Sequence, residues 1–132
     1  MSVAKAHLRI ARPSDNLEAL LPFYRDGLGF DLLFRFNGHD GFDGMMLGHK
    51  NAGYHLEFTS ADGHKAGRAP TADNLLIFYL PKEEDFQLAI ERMQTCGFAP
   101  VTSFNPYWDM HGKTFEDPDG YRIVFANMDV PV

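Results

Sequence analysis

A glycine-phenylalanine pair that closes a helical stretch occurs twice in this chain, as Gly29-Phe30 and again, 68 residues on, as Gly97-Phe98. The strands that open the two halves keep the same offset, starting at His7 and at Leu75. Each half reads as strand, helix and then three strands. Identity between the halves is slight, so what repeats is an order of elements. The expected architecture is α+β, two βαβββ modules, with module one at residues 1–60, a linker at 60–73 and module two at 74–132.

In the first half, residues 6–12 alternate and predict a half-buried strand ended by Pro13. Ser14 and Asp15 offer a helix N-cap, and Glu18 stands three residues after Asp15, as a capping box requires. Leu17, Leu20, Leu21, Tyr24 and Leu28 recur at helical spacing and predict one buried stripe. Pro22 falls inside that pattern, where it removes a backbone donor and predicts a kink or a late start. Strands are expected at 30–36, 45–47 and 54–59. Asp40 and Asp43 lie in the turn-rich stretch between the first two of these and read as a solvated turn, since no closing glutamate makes them a calcium loop.

Residues 60–73 are rich in Ala, Gly, Asp and Pro and carry no periodicity, which marks the linker. A strand follows at 75–80. Glu83, Glu84 and Asp85 suit a helix N-terminus, and Phe86, Ala89, Ile90 and Met93 form that helix's buried stripe. A further strand is expected at 99–104, then an aromatic-rich loop at 105–112. The chain ends in a hairpin whose turn is Asp117-Pro118-Asp119-Gly120: proline presets φ and glycine tolerates positive φ where the chain reverses. This hairpin sets the register. Arg122, Val124 and Ala126 share one face, and Tyr121, Ile123 and Phe125 the other.

Composition narrows the function. A net charge of −6 argues against non-specific nucleic-acid or anionic-membrane binding. The longest apolar run, residues 75–80, is far too short to span a bilayer, and the first ten residues lack the apolar core of a signal peptide. The single cysteine, Cys96, excludes an internal disulfide and fits a reducing, cytoplasmic setting. It falls at a helix end with nothing beside it to lower its pKa, and reads as inert.

Two motifs in this element order, Phe23-Tyr24-Arg25-Asp26-Gly27-Leu28-Gly29-Phe30 after the first helix and Asp117-Pro118-Asp119-Gly120 before the last strand, resemble the vicinal oxygen chelate superfamily. That superfamily includes glyoxalase I, extradiol dioxygenases, fosfomycin-resistance enzymes and bleomycin-binding proteins. The resemblance covers nearly the whole chain. It implies two curved sheets around a cleft with helices outside, and, in the enzymes, a divalent metal held by one residue from the first and last strand of each module. The matching positions are His7 (or Arg9, if the register slips by two), Glu57, Leu75 and Val124. Leu75 and Val124 carry no atom able to bind a metal, and two ligands rarely hold a divalent ion. No cofactor is therefore expected. The alternative is zinc, nickel, manganese or iron on a local face of His7, His55 and Glu57, with Glu57 as the catalytic candidate.

Other residues expected to line the cleft are ligand-binding candidates. Arg9 either meets an anionic group of a ligand or pairs with Glu57, and a buried carboxylate's need for compensation favours pairing. His55 shares its face with Glu57. Tyr79 either offers its hydroxyl to a ligand or fills space. Tyr107, Trp108 and His111 sit on the loop before the hairpin, where aromatic residues suit either a ligand lid or packing over the sheet end. His39, His49 and His64 fall in turns and read as exposed. By face, Leu8, Ile10, Leu56, Phe58, Leu76, Phe78, Ile123 and Phe125 should pack on the helices, and His7, Arg9, His55, Glu57, Leu75, Tyr79 and Val124 should face the cleft.

The favoured reading is a metal-free protein that binds a small, partly aromatic molecule. Against it stand a metal-dependent lyase, isomerase or dioxygenase of the glyoxalase type and a metal-free enzyme using Glu57 or His111 as base. Open strand edges and exposed apolar area predict a homodimer.

Overall fold

The computed structural model describes residues 2–132. They divide into two compact units, residues 2–25 with 29–67, and residues 26–28 with 68–132. Residues 62–74 carry neither helix nor strand. No described helix is long and apolar enough to cross a membrane.

The first unit holds β1 (Leu8–Pro13), β2 (Asp31–His39), β3 (Phe42–Gly48) and β4 (Tyr54–Ala61) in one sheet of order β1-β4-β3-β2. β1 runs parallel to β4, with Arg9 opposite His55 and Ala11 opposite Glu57, and the other pairs are antiparallel. One face carries Met45, Leu47, Leu56 and Phe58, all at most 2% exposed. The Tyr24 ring lies 4.8 Å from that of Phe58, so the helical segment covers this face. Glu57, between Leu56 and Phe58, points to the opposite face, as strand alternation requires.

The helical segment departs from the expected α-helix. It is a 3-10 turn at Glu18–Leu20 followed by a π-helical stretch at Pro22–Gly27. Pro22 opens the second piece, where its missing N–H is not needed. The wider π turn lets adjacent Phe23 and Tyr24 both point inward, at 0% and 1% exposure. The expected capping box does not form either. The Asp15 carboxylate instead accepts from the N–H groups of Ala66 and Gly67 at 2.8 and 2.9 Å, which lowers its pKa. Asn16 Oδ1 accepts from the Ala19 N–H, and Glu18 pairs with Arg35. Leu8 and Ile10, expected against the helix, are 54% and 38% exposed. They lie on β1, an edge strand of the sheet, where a side chain has a neighbouring strand on one side only.

The second unit has β5 (Leu75–Tyr79), α1 (Glu83–Thr95), α2 (Tyr107–His111), β6 (Gly112–Glu116) and β7 (Arg122–Ala126), with sheet order β5-β7-β6. β5 is parallel to β7, placing Ile77 opposite Val124, and β6 and β7 form the expected antiparallel hairpin. Phe86, Ile90 and Met93 bury the inner face of α1. The Phe125 ring meets those of Phe78 and Phe115, while Val124 turns to the other side and is fully buried. The strand expected at 99–104 is a single bridge, Val101 to Thr114. Pro100 has no N–H to donate, which breaks the ladder on that side. The loop expected at 105–112 contains α2.

The hairpin turn is held from within. Asp117 is 3% exposed, and its Oδ1 accepts from the N–H groups of Asp119 and Tyr121 at 2.8 and 3.0 Å. Gly120 has φ of 89°, in the left-handed region. At the other end of β6 the constraint is space. Gly112 is extended, but a Cβ there would strike the Phe125 carbonyl, whereas a Cβ at Gly44 would meet only the movable ring of Phe36. Gly112→Ala is expected to lower stability by about 1–3 kcal/mol in urea unfolding, and Gly44→Ala by less. Equal losses would contradict this reading of the two contacts.

Candidate functional site

Four of the candidate residues meet on the uncovered face of the first unit. His7 Nε2 and His55 Nδ1 are 2.6 Å apart, Arg9 Nε donates to His55 Nε2 at 3.0 Å, and Arg9 also lies 3.4 Å from a Glu57 carboxylate oxygen. Register explains the meeting, since Arg9 and His55 are partners across β1 and β4 and Glu57 follows His55 on the same face. Met46, opposite Glu57 on β3, brings its sulfur to 3.5 Å from Arg9.

The hydrogen bonds fix the proton positions. A guanidinium N–H can only donate, so His55 Nε2 accepts and neutral His55 carries its proton on Nδ1. That proton is donated to His7 Nε2, so neutral His7 is protonated at Nδ1. Burial lowers the pKa of His55, Arg9 and His7 lower it further, and Glu57 opposes them.

Both nitrogens of His55 are engaged, and a guanidinium occupies the space between His55 and Glu57. Among the described residues, no group of three or more His, Cys, Asp or Glu is placed to hold a metal.

In the second unit, Tyr107, Trp108 and His111 lie on α2, with the Tyr107 ring 5.0 Å from Trp108 and 4.4 Å from His111. Trp108 also lines a cavity of about 420 Å³ with Leu75, Phe104, Pro106, Asp73 and Thr114. His111 lines a separate, more polar hollow of about 270 Å³ with Glu83, Asp109 and Lys113. Tyr79 stands opposite Ala126 on the face shared with Leu75 and Val124, and lines neither hollow. Sequence reasoning missed Thr114. It alternates with Phe115 and so falls on the Val124 face, together with Glu116 and Arg122, and that alternation was the available signal.

The lowered pKa of His55 gives a pH dependence. Between its folded value and the ordinary 6.5, the unfolded chain binds more protons than the folded one. The site's contribution to stability is therefore complete above pH 6.5 and declines as pH falls below it. The thermal midpoint is expected to drop between about pH 7.5 and about pH 5.5, and to drop less in His55→Gln. NMR titration should find His55 titrating below 6.5 with the Nδ1-protonated tautomer. A value at or above 6.5 would contradict the network.

Both halves of the chain match family models, residues 8–59 the YycE-like N-terminal domain and residues 73–127 the YycE-like C-terminal domain. The chain is 42% identical over 126 residues to the protein YycE of Bacillus subtilis strain 168, covering 96% of this chain and 91% of that one. A crystal structure of a YycE protein from Bacillus subtilis superposes with a TM-score of 0.86 at 41% identity, over 96% of this chain and 92% of that one. Glyoxalase I of Leishmania major shares the fold at 17% identity and a TM-score of 0.70, over 92% and 86% of the two chains. TnmS3, an antibiotic-binding protein from Streptomyces sp. CB03234, shares it at 23% identity and a TM-score of 0.62, over 96% and 97%. With both halves matched and this identity sustained along the chain, the protein belongs to the YycE-like family of the vicinal oxygen chelate superfamily.

Proposed function

We propose that this chain is a small-molecule-binding protein that works without a tightly held metal. The observation that carries this reading is the Arg9 guanidinium, bonded to His55 and paired with Glu57. It supplies a positive charge where a cation would otherwise sit, and it satisfies the carboxylate. Leu75 and Val124, at the two remaining positions where the superfamily's enzymes place metal ligands, add no donor. A face of this kind favours a neutral or anionic ligand. In the first unit Arg9 and His55 are the residues proposed to meet a ligand, and in the second unit, taken by itself, they are Tyr79, Tyr107, Trp108 and His111. The one cysteine and the acidic composition support a cytoplasmic site of action.

A second reading draws on the closeness of His7, His55 and Glu57, which would serve a metal-dependent lyase, isomerase or dioxygenase once Arg9 swung away. The fold accommodates both kinds of protein, since glyoxalase I and an antibiotic-binding protein share it.

Elemental analysis of protein purified without chelator separates the two. Zinc, nickel, manganese and iron are expected far below one equivalent, and Glu57→Ala should fold normally while altering ligand binding. Near-stoichiometric metal, lost in both His7→Ala and Glu57→Ala, would overturn the binding reading. A thermal-shift screen of small aromatic and phosphorylated compounds should find stabilising ligands.

We also propose a homodimer. Leu32, Leu33 and Phe34 on the edge strand β2 are 37%, 38% and 56% exposed, an apolar strip that a second copy would cover. Sedimentation at micromolar concentration is expected to give a dimer, and a monomer there would refute the assignment.

A further inference from the structure

The cavity of about 420 Å³ in the second unit lies within the range of roughly 300–1,000 Å³ typical of small-molecule sites. Leu75, Phe104, Pro106 and Trp108 make most of its wall apolar. Thr114 also lines it. That residue is 0% exposed, and its Oγ1 is the one buried side-chain oxygen or nitrogen among the described residues that finds no hydrogen-bond partner. A buried hydroxyl left unpaired is destabilising, so its presence on a cavity wall calls for a partner entering from the cavity.

The wall beside it is braced. The Asp109 carboxylate accepts from the Ser103 N–H at 3.1 and 3.3 Å, Ser103 Oγ donates to the Asn105 carbonyl at 2.6 Å, and Asn105 Oδ1 accepts from the Tyr107 N–H at 3.0 Å. These bonds hold the segment that carries Phe104, Pro106 and Trp108 in place before any ligand arrives. Charge then selects the ligand. Asp73 lines the cavity, and no lysine, arginine or histidine does. Arg122, on the same sheet face, is held by Glu116 at 3.1 Å and by the Thr102 carbonyl at 3.1 Å.

We propose that this cavity binds a flat aromatic molecule, neutral or cationic, with one hydroxyl or amino group that hydrogen-bonds to Thr114 Oγ1 while its rings lie against Trp108 and Leu75. The proposal rests on the small-molecule reading above and names a ligand class for the second unit's cavity, whose lining charge is opposite to that of the Arg9 face. A carboxylate or phosphate is disfavoured, because Asp73 repels it and no cation lines the cavity to offset its desolvation.

The test has two arms. In the first, Thr114→Val removes the hydroxyl and keeps the shape. Its thermal midpoint should equal or exceed that of the wild type, because no bond within the protein is lost. A markedly lower midpoint would mean that Thr114 has a partner in the fold, and the proposal would fail. In the second, binding is followed by NMR at the indole N–H of Trp108, the only tryptophan in the chain. The probes are 2-naphthol, naphthalene and 2-naphthoate. Saturable shifts are expected with 2-naphthol, weakened about tenfold by Thr114→Val, while naphthalene binding stays unchanged. 2-Naphthoate should bind more weakly than 2-naphthol, and Asp73→Asn should narrow that gap. Absence of any shift with 2-naphthol, or equal losses for 2-naphthol and naphthalene in Thr114→Val, would overturn the proposal. If 2-naphthol fails here while the thermal-shift screen yields ligands, this site falls and the broader reading stands. If both fail, both fall.

Discussion

In each unit the first strand lies parallel beside the last, and the remaining features depend on that pairing. A parallel pair cannot be closed by a tight turn, because the chain must cross back over the sheet. In the first unit the crossing begins with the 3-10 and π-helical segment, and in the second with α1. The crossing covers one face and leaves the other for side chains that need not be apolar. Arg9, His55 and Glu57 occupy that second face in the first unit, and Leu75, Val124 and Thr114 occupy it in the second.

These second faces differ in chemistry although their scaffolds repeat. The first is a chain of polar contacts in which a guanidinium orients an imidazole, the imidazole orients a second one, and a carboxylate balances the charge. Such a network is rigid while its protons stay where the arginine places them. The second borders a cavity whose wall is mostly apolar, with Leu75, Phe104, Pro106 and Trp108 beside Asp73 and Thr114. One fold thus carries a charged face in one unit and a mostly apolar cavity in the other, and function has to be argued from such sites rather than from the fold that carries them.

Much of this was legible in the sequence because strand alternation is robust. Glu57 falls opposite Phe58, and Val124 opposite Phe125, whatever the exact strand ends. The terminal hairpin was equally readable, since Asp117, Pro118 and Gly120 each have one conformational task. What could not be read depends on distant partners. Asp15 looks like a cap, yet two backbone N–H groups near residue 66 take its carboxylate. Tyr24 sits at helical spacing, but its neighbour Phe23, in the same π-helical stretch, is buried as deeply. Residues 99–104 have strand composition, and a single donor, Val101, reaches the ladder. The pairing of Arg9 with Glu57 was readable from register, whereas the unpaired hydroxyl of Thr114 emerges only once the cavity is seen.

The strand β2 shows how such a sheet limits its own growth. Its register against β3 shifts between Leu32 and Phe34 and again between Phe36 and His39. The first shift sends Leu32 to the face of Leu47 and Phe34 to the face of Met46. Each bulge interrupts the regular spacing of outward N–H and carbonyl groups and adds local twist. An incoming strand would find no flat template to extend, although the edge is apolar. Association through β2 should therefore proceed by side chains packing on side chains. The same residues that make the edge sticky are kept from seeding the open-ended strand addition that leads to fibrils.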